Sequence, residues 1–97
     1  MKTPEGYEKD DICKFLDSLG ARCWYFRVFM AGYGKAGVPD IVGCYMSKWF
    51  SIEVKREGKQ PTERQWQRMG EISGAVGKVF WGTSSKVIPE FKDWIEE

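Results

Sequence analysis

Histidine is absent from this chain of 97 residues, which removes Ser-His-Asp and Cys-His machinery and leaves carboxylates, lysine and a metal as the means of any hydrolysis. Cysteine is scarce and odd in number. Cys13, Cys23 and Cys44 include no Cys-x-x-Cys pair, so neither a zinc site nor a full disulfide framework is expected. No apolar stretch reaches the length of a membrane span, and residues 1–11 are too polar for a secretory leader. A cytoplasmic protein without a membrane partner is therefore expected. Net charge is nearly missing too, at +1, so any hold on a polyanion has to come from local clusters of Lys and Arg.

Aromatic residues are plentiful. Five Trp among 15% aromatics and 42% hydrophobic residues suffice for one modest core, and the length suits a single domain over residues 1–97. A homodimer would supplement so small a core. There is no internal repeat and no low-complexity segment.

Local patterns predict the order α, β, β, β, α, β, α. Ile12, Phe15, Leu16 and Leu19 recur at helical spacing over residues 7–19, with Gly20 placed to stop the helix. Aromatic and β-branched residues alternate over residues 22–30, which predicts a strand. A glycine-rich loop over 31–37 leads into a second strand ending at Tyr45, because Pro39 holds Val38 extended. Residues 46–48 are a tight turn. In the third strand, 49–56, Phe50, Ile52 and Val54 take one face and Trp49, Ser51, Glu53 and Lys55 the other, polar face. Thr62 and Gln65 have the spacing of a capping box for a second helix running to about residue 73. A short strand at 78–81 and a last helix capped by Ser84 or Ser85 complete the chain.

Glu53 and Lys55, two apart on a strand, project together. Alone such a pair is an ordinary solvated face with a weak ion pair. Asp40 adds meaning, because it opens the apolar strand of Ile41, Val42, Cys44 and Tyr45, which reads as central and covered on both faces. A carboxylate there either caps the loop, pairs with an arginine, or joins Glu53 as a ligand for a hard divalent cation, beside which a lysine can orient water and offset charge on a phosphoryl transition state. Glu8 falls on the inward stripe of the first helix, where it holds either the site or its own helix N-terminus. Gln65 faces inward as well, and serves either the site or the Thr62 cap.

Gly37-x-Pro39-Asp40, Ile52-Glu53-Val54-Lys55 and Gln65 in a Thr-x-x-Gln helix start together resemble the VRR-NUC family of the PD-(D/E)XK nuclease superfamily. The resemblance spans nearly the whole chain, from Glu8 to the last strand. It implies a restriction-endonuclease-like α/β fold, with an αβββαβ core, a C-terminal helix and a mixed central sheet flanked by helices. It further implies a Mg²⁺- or Mn²⁺-dependent DNA endonuclease, with metal ligation by Asp40, Glu53, the Val54 main-chain carbonyl and Glu8, and with Asp40, Glu53, Lys55 and Gln65 catalytic. Stand-alone members of this size look like homodimers that cut branched DNA such as four-way junctions, in the manner of Holliday-junction resolvases in DNA repair.

Arg27, Tyr33 and Lys35 are available to phosphates near the glycine-rich loop, and Lys48, Arg56, Lys59, Arg64 and Arg68 flank the expected cleft, although some of them read equally as solvated surface. Gly32-x-Gly34-x-x-Gly37 matches the dinucleotide fingerprint by letter only, since it leads into Pro39 and a strand instead of a helix. The competing function is a non-catalytic module that binds branched DNA on the same fold; it keeps the basic residues and has no need of Asp40, Glu53 and Lys55. A partner surface built from the many aromatics would leave Asp40 and Glu53 without a role.

Overall fold

Thr3 and Pro4 start the first helix three residues earlier than apolar spacing indicates. The Thr3 hydroxyl accepts from the Gly6 N–H at 3.0 Å and Pro4 occupies the first helical position, where its missing N–H costs nothing. In this computed structural model, which describes residues 2–29, 34, 36–75 and 77–97, α1 spans Pro4–Asp17. Gly20, at φ +66°, then turns the chain through a short 3₁₀ segment into β1.

β1 (Cys23–Arg27) is shorter than its sequence pattern, although the Val28 N–H still reaches the Asp40 carbonyl at 2.8 Å. β2 (Ile41–Tyr45) and β3 (Lys48–Val54) form a hairpin closed by Met46 and Ser47. Both turn residues have positive φ, 48° and 74°, the geometry of a type I′ turn. α2 (Glu63–Gly74) carries the chain over the sheet, so that β4 (Lys78–Gly82) pairs parallel to β3. α3 (Ser84–Ile95) ends the fold. The result is an α/β fold with a four-stranded mixed sheet in the order β1-β2-β3-β4, flanked by helices and ending in a C-terminal helix, as the sequence pattern predicts.

One face of the sheet makes the main core. Ile41, Tyr45, Phe50, Ile52, Val54 and Phe80 meet Ile12, Cys13 and Leu16 of α1 and Val87, Phe91 and Trp94 of α3. Phe91 is the hub, its ring lying 4.9–6.3 Å from those of Phe15, Tyr45, Phe50, Phe80 and Trp94. α2 covers part of the second face, with Met69 buried and Trp66 edge-on to Trp81 at 5.4 Å. The rest of that face, on β1 and the neighbouring parts of β2 and β3, leaves Trp24, Phe26, Cys44 and Trp49 exposed.

The alternation of β3 therefore misleads in one respect. Taken alone, its Glu-x-Lys pair reads as a solvated face, yet Ser51, Glu53 and Lys55 are buried, with Gln65 of α2 over Glu53, and only Trp49 of that face is exposed. In the middle of β2, Gly43 is required, since a Cβ there would sit 2.3 Å from the Trp24 carbonyl oxygen. Among the described residues no helix is long and apolar enough to cross a membrane.

Removing the hub ring should leave a cavity under five aromatic side chains. Phe91→Ala is expected to lower unfolding free energy by about 3–5 kcal/mol, measured as a lower urea midpoint at unchanged slope.

Candidate active site

Strand register brings the two acids together. β2 and β3 pair Ile41 with Ile52, so one more step of the same ladder sets Asp40 opposite Glu53, with side chains on the same face. Asp40 is fastened there: its Oδ2 accepts from the Val54 N–H at 2.9 Å. The next residue, Lys55, donates its N–H the other way, to the Gly82 carbonyl of β4 at 2.9 Å. Both main-chain groups of Val54, the carbonyl included, consequently face the Asp40 side. Lys55 returns to the face of Glu53, and their Nζ and Oε2 atoms lie 3.8 Å apart. The ordinary reading of this pair as a solvated surface contact is overturned by burial, since Glu53 is only 2% exposed.

Gln65 does not have to choose between its two roles. Its Oε1 accepts from the Thr62 N–H at 2.8 Å and its main-chain N–H donates to the Thr62 hydroxyl at 3.2 Å, completing the capping box. The same side chain donates from Nε2 to Glu53 Oε2 at 3.2 Å. α2 is thus capped and tied to the site by one amide.

Electrostatically the pair is strained. Burial first, and then the charge of Asp40, pushes the Glu53 carboxyl up to about 9, with Lys55 pulling in the opposite direction. Glu53 Oε1 is buried and, among the described residues, has no hydrogen-bond partner. Two carboxylates face to face, one retaining a proton and one oxygen orphaned, are what a divalent cation would relieve. Hard oxygen donors from Asp40, Glu53 and the Val54 carbonyl suit Mg²⁺ or Mn²⁺, so the residues present fit the group. The protein alone supplies only part of a coordination shell, since among the described residues no three of His, Cys, Asp and Glu gather to hold a metal.

Two residues that sequence reasoning passed over belong here. The Lys9 ammonium lies 3.6 Å from Asp40 Oδ1, so each carboxylate has its own lysine. Lys9 precedes Ile12 and Cys13 by three and four residues, a helical spacing that could have flagged it. Glu5, one turn earlier, is close enough for its charge to be felt at Glu53, and it shares a hollow of about 330 Å³ with Thr3, Pro4 and Arg56. Glu8 points elsewhere. Its Oε1 accepts from the Ser84 N–H at 2.6 Å and the Ser84 hydroxyl at 2.8 Å, so it caps α3, and neither its own helix nor the Asp40–Glu53 pair receives that oxygen.

The basic residues divide by position. Arg56 and Lys59 line a hollow beside the site. Arg68 donates to the Ala36 carbonyl at 2.9 Å and pairs with Glu71. Arg64 packs where a Cβ on Gly37 would stand, at 2.8 Å. These two arginines hold the turn before Asp40 against α2. Arg27 is occupied by Asp10 and the Cys13 thiol. Lys48 does not flank the cleft, because it starts β3 and lies over Trp94, roughly 16 Å along the strand from Glu53 at ~3.3 Å per residue. Tyr33 and Lys35 lie outside the described residues.

No family model, no curated protein and no solved structure matches the chain.

The proton on Glu53 gives a pH signature. Below the ordinary carboxyl value of 4.5 the folded and unfolded chains both hold it, and the neutral buried acid costs least. Between there and about 9 the folded chain keeps a proton that the unfolded chain has lost, so stability falls as pH rises through this window. In EDTA, Glu53→Gln is expected to melt above the unsubstituted protein at pH 8–9, with the gap closing towards pH 4–5 by calorimetry. Parallel melting curves across that range would refute the buried, protonated state.

Proposed function

We propose that this chain is a metal-dependent DNA endonuclease acting on branched DNA, with Asp40, Glu53 and the Val54 carbonyl as metal ligands. The observation that carries the reading is a buried Glu53 facing a half-buried Asp40, with one Glu53 oxygen unpartnered among the described residues and a lysine at 3.8 Å. When bound, a divalent cation supplies Lewis acidity toward a phosphoryl oxygen and lowers the pKa of a water. The rest is the work of the chain's own residues. Asp40 is aimed by the Val54 N–H, and Glu53 Oε2 by the Gln65 amide. Lys55, fixed by its strand, places positive charge where negative charge grows on the phosphate. Burial of Glu53 and Lys55 raises the strength of these interactions and limits competing water.

The protein is proposed to work in the cytoplasm as a homodimer, so that two sites address two strands of a junction, as the VRR-NUC resemblance implies. Trp24, Phe26 and Trp49 form an uncovered apolar face at the β1 side of the sheet, and a second copy laid on it would bury that face. Light scattering is expected to give twice the chain mass at micromolar concentration, and Trp24→Glu to give one; a monomeric unsubstituted protein would remove the dimer.

Labelled four-way, flap and duplex DNAs incubated with Mg²⁺ test the reaction. Cleavage of branched substrates is expected, falling by about a hundred-fold or more in Asp40→Ala, which removes a metal ligand, and in Lys55→Ala, which removes positive charge from the transition state. Cleavage that survives both substitutions would refute the centre. Binding to branched DNA without cleavage of any substrate would favour the non-catalytic module.

A further inference from the structure

A hollow of about 400 Å³ lies beside the carboxylate pair, between the loop that follows β3 and the junction of β4 with α3. Three cations line it, Arg56, Lys59 and Lys86, against a single acid, Glu57, and Trp81, Thr83 and Ser85 complete its wall. Its place in the fold ties it to the site. Trp81 is the register partner of Glu53, and the Gly82 carbonyl accepts from the Lys55 N–H, so the hollow begins one strand away from the site, at ~4.8 Å. A strand of nucleic acid lying with one phosphate at Asp40 and Glu53 must pass over either β4 or β1. The β1 side offers exposed Trp and Phe side chains, and its nearby Arg27 is already bound to Asp10 and Cys13. On the β4 side the cations have fewer commitments. Arg56 and Lys59 are exposed. Lys86 stands over the Trp81 ring at 4.1 Å, with its ammonium on the Trp81 carbonyl and 3.6 Å from Glu90.

We propose that this hollow seats the nucleotide next to the one that is cleaved, its phosphate among Arg56, Lys59 and Lys86; the assignment rests on the nuclease reading above. Charge sets the ligand class, because two net positive charges around a space of this size suit a phosphate monoester or diester. Size narrows it further. A hollow at the lower end of the range for small-molecule sites accepts a sugar-phosphate unit with its base, and a bare phosphate would leave most of it empty. The α3 N-terminus is not the anchor, since Glu8 already caps it at Ser84. Arg56 and Lys59 reach the ligand from the loop, and Lys86 from the first turn of α3. The substrate strand is thereby routed across β4, away from Lys48 at the opposite end of β3.

The test is binding of a short fluorescein-labelled single strand in EDTA, where no cleavage intervenes, followed by anisotropy over a salt series. Arg56→Ala with Lys59→Ala is expected to weaken binding roughly ten-fold or more and to flatten the salt slope by about one unit per lost contact. Lys59→Glu should weaken it further, and Lys48→Ala should change it less than two-fold. A deoxynucleoside monophosphate is expected to displace the strand at concentrations where inorganic phosphate does not. Unchanged binding in both loop variants, absence of strand binding, or equal displacement by inorganic phosphate would overturn the proposal. Cleavage of branched DNA with Mg²⁺ is read separately. Cleavage intact in variants that also bind normally keeps the nuclease reading and discards this one, whereas strand binding at the hollow without cleavage does the reverse.

Discussion

Everything near the site depends on one awkward contact, two carboxyl groups set opposite each other at the ends of adjacent strands, with Glu53 buried beneath Gln65 of α2. Burial disfavours the charge of Glu53, and the nearby charge of Asp40 disfavours it further. The fold accommodates them with a main-chain N–H for Asp40, an amide for Glu53 and a lysine near each. It does not finish the task. Glu53 keeps its proton far above the ordinary range, and one of its oxygens has no partner among the described residues. A sequence selected for stability alone would place an apolar pair at this register position, which matches Ile41 and Ile52 one step along the ladder. Tension of this kind is typical of a site that a ligand completes.

The rest of the architecture serves that contact. The antiparallel hairpin sets its register, and the type I′ turn at Met46 and Ser47 fixes the hairpin. The parallel pairing of β3 with β4 leaves the main chain of Val54 free of β4, so its N–H can serve Asp40. α2 roofs the polar side of β3, while Arg64 and Arg68 draw the 36–37 turn onto that helix and hold the approach to Asp40. On the opposite face the aromatic cluster around Phe91 anchors α1 and α3, and with them Glu5, Lys9 and the rim of the basic hollow. Core and site therefore use alternate residues of the same strand.

Local information carried much of this. Alternation in β3 set Glu53 and Lys55 on one face, Pro39 announced the strand behind Asp40, and the Thr62 to Gln65 spacing marked a cap that the structure contains. What failed to show was long-range. Nothing near Glu8 indicates Ser84, its partner 76 residues away. A period of two distinguishes the faces of a strand but not whether the polar one is roofed, which depended on where α2 landed. Lys9 and Glu5 were concealed differently: α1 begins at Thr3 and Pro4, and a helix taken to start at residue 7 has no turn on which Glu5 could sit. Lys48 reads from the sequence as a loop cation flanking the cleft, but which end of the sheet its turn occupies depends on strand pairing, and it lies at the opposite end of β3 from Glu53.

The double engagement of Gln65 has a chemical corollary. Its oxygen is spent on Thr62, so the amide cannot rotate to exchange its ends, and only N–H groups are turned towards Glu53. The side chain is thereby given a fixed polarity, able to greet lone pairs and unable to accept a proton. Anything that approaches along it must present an acceptor: a carboxylate, a water through its oxygen, or a phosphoryl group. A capping motif, ordinarily a detail of helix ends, here sets the polarity of the amide that faces Glu53.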